Sequence, residues 1–377
     1  MATTHLIAFA ACISQVLAAC SSIEVRKEWR SFTTDEQTAW IDAVNCMAQL
    51  PHNDSLVATV GEFAAIANIT SDSSYYDDYA YIHSDLNPTI HFTGLFFPFH
   101  RYFVWSYTQA LKNDCGYTGV APYWNWTIGN SHTPIFKAIP LTQPDAANVK
   151  DSTMWSDDTS AGLGQAVGVS SDDYVVGTGG FASDFTLAYP SSHGLRRNFT
   201  LEPYTAFAGS SFFPDPDIDA NATFTSEKID GLIANYTGDF KGFQKYMEGF
   251  EGPHGAVHEI LGGDLGGYCP ENANEACFEA EPSPTFSANE PMFWMHHAMV
   301  DRVWWLWQNR DSSNLYAFEG GSVQNITAYD EYPNGAPPWL SLESVLPTDG
   351  ILMPAQTTLN DIWITEGDLL CYTYDDA

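Results

Sequence analysis

Two stretches of the chain, roughly Thr34 to Cys115 and roughly Gly238 to Arg310, carry apolar and aromatic residues in helix-like patterns. Between them, residues 130 to 237 are rich in Gly, Ser, Asp and Pro and show little helical periodicity. Beyond Arg310 the chain is loop-like again, with short strand candidates such as Leu369-Leu370-Cys371-Tyr372-Thr373-Tyr374. No internal repeat and no Gly/Ser linker divides these regions. The pattern predicts a mainly α fold in one domain, with a central four-helix bundle built from the two helical segments. Long loops and a few short strands wrap it.

The ends of the pattern change the picture of the compartment. An apolar run from Leu6 to Leu17 precedes Ala18-Ala19-Cys20, which predicts a secretory signal over residues 1–19 and a mature domain over 20–377. No later stretch approaches the roughly 18 uninterrupted apolar residues of a membrane span. Loss of Cys12 with the signal leaves six cysteines: Cys20, Cys46, Cys115, Cys269, Cys277 and Cys371. An even number in an oxidising compartment favours disulfides, with Cys269–Cys277 the natural local pair and the others unassigned. Seven Asn-x-Ser/Thr sequons, at Asn53, Asn68, Asn125, Asn198, Asn221, Asn235 and Asn325, are consistent with a secreted glycoprotein. Asn125 lies inside Pro122-Tyr123-Trp124-Asn125-Trp126 and is expected to be buried and bare.

Charge narrows the partners. Forty-seven Asp and Glu against 14 Lys and Arg give a formal net charge of −33, which repels nucleic acid and anionic membranes. Such a surface suits a soluble, extracellular monomer.

The candidate chemistry lies in the histidines. Seven of the eleven fall in two clusters, His83, His91 and His100 in the first helical segment and His254, His258, His296 and His297 in the second. His254 and His258 are four apart, so on a helix both imidazoles project from one face, a turn apart. His91 and His100 are nine apart and would face opposite ways on one straight helix. Gly94 and Pro98 interrupt that stretch, which places His91 near the end of one helix and His100 at the start of the next. His297 begins an apolar helix, with Asp301 a turn later as a candidate acceptor behind it. His52, His132 and His193 read as hydrogen-bonded core residues. Two sets of three imidazoles without cysteine ligands suit two metals with open positions for a small ligand. Spacing alone leaves copper, zinc and iron open, though the lack of carboxylates in the clusters disfavours a di-iron centre.

The stretches Asp77-Asp78-Tyr79-Ala80-Tyr81-Ile82-His83 through His100-Arg101-Tyr102-Phe103, and Glu290-Pro291-Met292-Phe293 through His297 and Asp301, resemble the two copper signatures of tyrosinases and catechol oxidases. These are type-3 copper proteins, and the short secreted fungal members are the most similar. Pro122-Tyr123-Trp124-Asn125-Trp126 and Tyr372-Thr373-Tyr374 resemble two further motifs of that family. The resemblance implies two copper ions, one held by His83, His91 and His100 and the other by His254, His258 and His297, with His296 outside the ligand set. It implies a polyphenol oxidase that takes small phenolic substrates and O2. Phe293 then packs against the site, and Glu251 orients a water over it. The chain stops soon after Tyr374, which implies that the C-terminal shielding domain of many relatives is absent and that activity needs no proteolytic release.

Several departures from the family pattern shape the expected activity. Thr89 stands where many relatives carry a cysteine cross-linked to a ligand histidine, so no thioether forms. Gly255 stands where good monophenol hydroxylases often have Asn. Pro284 occupies the position of the family's gate residue and offers no aromatic ring to close the pocket, while Glu259 places a carboxylate near its mouth or on a solvated helix surface. The expectation is oxidation of o-diphenols (or o-aminophenols) to o-quinones, with weaker o-hydroxylation of monophenols. A haemocyanin-like oxygen carrier without turnover is the rival.

Overall fold

A computed structural model describes residues 20–61, 68–128, 152, 154–182, 185–281, 284–367 and 369–375. Its eight α-helices among these residues are α1 (Thr34–Met47), α2 (Tyr75–Ile90), α3 (Phe96–Cys115), α4 (Ser226–Asn235), α5 (Phe240–Glu248), α6 (Pro253–Leu261), α7 (Glu275–Ala280) and α8 (Met292–Arg310). The fold is mainly helical, as the pattern predicts, and α2, α3, α6 and α8 carry the clustered histidines. One helix was not foreseen. α4 falls in the stretch without periodicity, started by the Thr225 side chain, which accepts from the Lys228 N–H.

Local chemistry sets the helix limits that matter for the site. Ser74 caps α2 through a reciprocal box with Asp77, and His91 is the C-cap residue at its far end. The chain then turns at Phe92, whose φ of 52° is held by its N–H donating to Glu248 Oε1 at 2.6 Å. Gly94 has to lie where it does because its backbone touches that of Gly320, and a Cβ there would sit 2.9 Å from the Gly320 Cα. α3 begins directly afterwards. Pro98 is in its first turn, where the missing N–H leaves no hydrogen bond unmade. His91 and His100 therefore belong to different helices, as their spacing requires.

α3 packs along α8, α5 packs on α6, and α2 packs on the 3-10 turn Pro284–Asn289 that leads into α8. A three-stranded parallel sheet ties the two ends of the described chain together. Its strands are β1 (Glu24–Glu28), β2 (Pro122–Tyr123) and, much later, the strand Tyr372–Tyr374; the order runs β2, β1, Tyr372–Tyr374. The strand candidate at 369–374 is thus realised over its last three residues. Three disulfides close the frame: Cys20–Cys371 beside the sheet, Cys46–Cys115 between α1 and the end of α3, and the expected Cys269–Cys277. No described helix is long and apolar enough to cross a membrane.

The core runs continuously from α1 to Tyr374 and is heavily aromatic. Asp301 sits inside it. The carboxylate accepts from Arg101 Nε at 2.5 Å, from the hydroxyls of Tyr372 and Tyr374, and from Arg26 Nη1 at 3.4 Å. This corrects the expectation that Asp301 stands behind His297. Its oxygens are taken by arginines and tyrosines, and neither ring nitrogen of His297 has a hydrogen-bond partner. The acid locks α3, α8 and both terminal strands together instead. Glu290 has a comparable task, pairing bidentately with Arg197 at 2.7 and 2.8 Å while accepting from the Met292 N–H at the start of α8.

Candidate metal centre

Two groups of histidines converge at the centre of the bundle, His83, His91 and His100 in one and His254, His258, His296 and His297 in the other; within each group the ring nitrogens lie within 4.8 Å of one another. All seven are buried. His83 is in the middle of α2, His91 caps it, and His100 is in the second turn of α3. His254 and His258 lie a turn apart on α6, with centroids 4.6 Å apart, and His297 is the sixth residue of α8 rather than its first.

The tautomers follow from what the outer nitrogens touch. Nδ1 of His100 faces the Phe96 carbonyl at 2.7 Å, Nδ1 of His258 the Leu265 carbonyl at 2.8 Å, and Nδ1 of His91 the Asn87 carbonyl at 3.3 Å. A carbonyl only accepts, so Nδ1 carries the proton in each and Nε2 presents a lone pair inward. Inside, Nε2 of His100 meets Nε2 of His83 at 3.4 Å, and Nε2 of His258 meets Nε2 of His254 at 3.1 Å. Nε2 of His91 and both nitrogens of His297 are buried without a partner. Burial first, then the neighbouring imidazoles, holds His91, His100, His254 and His297 well below the ordinary histidine range. Burial brings His258 down to about 4. Neutral rings that turn their lone pairs inward are what a cationic pair of metals requires.

His297 and His254 link the groups, His254 lying 6.0 Å from His91 and 6.5 Å from His100. The His297 ring stacks on His100 and comes within 6.5 Å of His83, whereas His296 next to it contacts Trp126, His254, His258 and His297. Phe293, one turn earlier on α8, packs on His297 at 4.3 Å and on His83 at 4.9 Å.

A pocket of about 190 Å³ opens onto His91, His254 and His258. Phe92, Phe207, Phe213 and Phe250 wall it, with Gly255 on its rim. A side chain at Gly255 would bring its Cβ to 3.1 Å from the Phe250 carbonyl. Two carboxyls reach the pocket, and neither is Glu251. Glu259 lines it and accepts from the Tyr268 hydroxyl at 3.1 Å; burial pushes it up to about 8. Glu248 also lines it, fully buried, accepting from Phe92 N–H and from Gln244 Nε2 at 2.8 Å; burial raises it well above the carboxylate range. Glu251 instead lines a neighbouring cavity and accepts from the Asp215 N–H at 3.1 Å. A motif fixes where Glu251 sits in the chain but not which way its loop turns, and no spacing signal pointed to Glu248. Pro284 opens the 3-10 turn before α8, and its side chain falls outside the described set. Of the remaining histidines, His52 pairs with Asp78 at 2.6 Å and His193 with Asp264 at 2.9 Å, and His132 lies outside the described residues.

Residues 73–310 match the family described as the common central domain of tyrosinase. The chain belongs to the tyrosinase family. Among curated relatives of this tyrosinase-family chain, Tyrosinase-like protein orsC of Emericella nidulans is 30% identical over 318 residues, covering 79% of this chain and 78% of the relative. Tyrosinase P of Aspergillus terreus is 27% identical over 356 residues, covering 85% and 86%. The solved polyphenol oxidase of Thermothelomyces thermophila shares the fold at a TM-score of 0.65 and 24% identity, over 94% of this chain and 89% of that one. The two histidine triads form a dinuclear type-3 copper site, and the protein is a type-3 copper polyphenol oxidase by family.

Proposed function

We propose that this tyrosinase-family enzyme oxidises o-diphenols to o-quinones with O2 and hydroxylates monophenols more weakly. Each O2 takes four electrons and four protons from two diphenols and leaves as two waters. His83, His91 and His100 hold one copper, and His254, His258 and His297 the other; the pair, when bound, supplies the O2-activating redox chemistry.

The observation that carries this reading is the pocket above His91, His254 and His258. An oxygen carrier needs no room for an aromatic ring beside its metals, whereas a phenol oxidase does. The phenylalanines around the pocket exclude water and present flat apolar faces to such a ring. Gly255 offers no side-chain amide, and the acid–base side chains that line the pocket beside the histidines are the buried carboxyls Glu248 and Glu259. That arrangement supports diphenol oxidation, where the proton is lost more readily, over monophenol hydroxylation.

The three disulfides and the acidic surface support a secreted single-domain protein with a signal over residues 1–19. Turnover of catechol and of tyrosol by the copper-loaded enzyme tests the reading. Faster oxidation of catechol is expected; a monophenol rate equal to or above it overturns the preference, and no turnover of either restores the oxygen-carrier reading.

A further inference from the structure

The pocket over the histidines has a larger neighbour. A cavity of about 920 Å³ lies beside it, walled by the strap around Phe212, the loop 249–253 and the turn that carries Ile326 to Glu331. The two spaces share Gly249 and Phe250. Phe250 is the partition between them, with Phe92 stacked on it at 5.0 Å from the inner side. From the outer side Phe212 lies on it at 4.4 Å and Tyr329 at 5.4 Å. Consecutive residues of the strap divide their duties: Phe213 lines the inner pocket and Phe212 the outer cavity.

The sizes differ in kind. An inner pocket of 190 Å³ is below the roughly 300 Å³ at which sites for drug-sized ligands begin, so it suits one ring, while the outer cavity falls within that range. The outer walls also say what they suit. Glu251 is occupied by the Asp215 N–H and Asp330 by Lys245 at 3.3 Å, so these carboxylates are already matched. Lys228 and Glu331 also line the cavity, and its apolar surface comes chiefly from Phe212, Ile218, Phe250, Ile326 and Tyr329. Phe212 is 39% exposed, a large apolar ring left facing the space.

We propose that the outer cavity is a subsite for a second aromatic ring, so that the preferred substrate is a phenol carrying an aryl group on a short linker. The reacting ring enters the inner pocket, the linker passes Phe250 and Gly249, and the second ring lies against Phe212 and Tyr329. This rests on the phenol-oxidase reading. The gain comes from apolar area removed from water and from ring-on-ring packing, both made before and during reaction, so it acts on KM more than on kcat.

The test compares 4-methylcatechol with 4-(2-phenylethyl)catechol on the copper-loaded enzyme, and measures the affinity of both for copper-free protein by titration calorimetry. The two-ring compound is expected to have a KM about ten-fold lower and to bind the copper-free protein correspondingly tighter. Ala328→Trp fills the outer cavity from a wall that does not reach the inner pocket, and Thr223→Trp fills it from another. Either is expected to erase the advantage and leave 4-methylcatechol unchanged. Equal affinities for the two compounds, or variants that affect both alike, overturn the subsite. If the copper-loaded enzyme turns over neither catechol, the oxidase reading fails, and the calorimetry on copper-free protein still decides whether the cavity takes a second ring.

Discussion

His100 and His297 lie face to face, with ring centroids 4.2 Å apart and planes 13° from parallel. One comes from the first half of the chain and the other from the second, and the packing of α3 along α8 sets their spacing. No comparable contact connects His296 to the first triad among the described rings. His297→Ala is therefore expected to lower copper to about one per chain and to abolish turnover, while His296→Ala keeps both metals. Metal analysis of the two purified variants checks this, and the opposite pattern reverses the assignment of the neighbouring histidines.

The buried carboxyls that line the pocket over the histidines are Glu248 and Glu259, whereas Glu251 lines the neighbouring cavity. Glu248→Gln is expected to retain copper and lower monophenol kcat by roughly 10²-fold, the low end of the usual loss for an acid–base group. Glu251→Gln retains an oxygen that accepts from Asp215 N–H and is expected to change monophenol kcat little. A larger loss in Glu251→Gln would show that its loop turns inward when copper and phenol are bound.

Asp301 holds two arginines and two tyrosine hydroxyls in the core. Replacing it by Ala leaves Arg101, which is wholly buried, without its carboxylate. Removing one partner of such a pair costs about 3–5 kcal/mol, so the urea midpoint is expected to fall sharply. A midpoint within error of the parent protein would mean that the network contributes little.

Asp349 gives the stability a pH dependence. Burial, reinforced by Asp85, pushes its carboxyl up to about 7, although the Thr59 hydroxyl donates to it at 2.6 Å. Its folded-state pKa is raised, so the native protein keeps a proton that the unfolded chain has already released. Its contribution is complete below the ordinary carboxylate range and is lost as pH rises through about 7. The loss is expected to be on the order of 2 kcal/mol, since one pKa unit is about 1.4 kcal/mol and solvent moderates the shift. Asp349→Asn should flatten this part of the curve when unfolding is followed between pH 5 and pH 8.5 by denaturant titration.

Much of the site was legible in the chain because its determinants are local. The four-residue step from His254 to His258 fixes one helix face, and the break at Gly94 fixes the change of helix between His91 and His100. The direction of side chains on loops was not legible. Glu251 and Glu248 are three residues apart, and only the turn of the chain between α5 and α6 decides which of them meets the pocket. Asp301 misled for a similar reason: a one-turn spacing from His297 is real, but the carboxylate is claimed by Arg101 and the tyrosines of the last strand, partners distant in sequence. The aromatic wall of Phe207 and Phe213 comes from a strap without periodicity, so no pattern announced it.

Copper counted per chain in the purified protein tests the central claim most directly. Two coppers per chain are predicted, each held by one triad of neutral imidazoles. Zinc in their place, or a single copper, would contradict a dinuclear site that shares one dioxygen between the histidines of both halves.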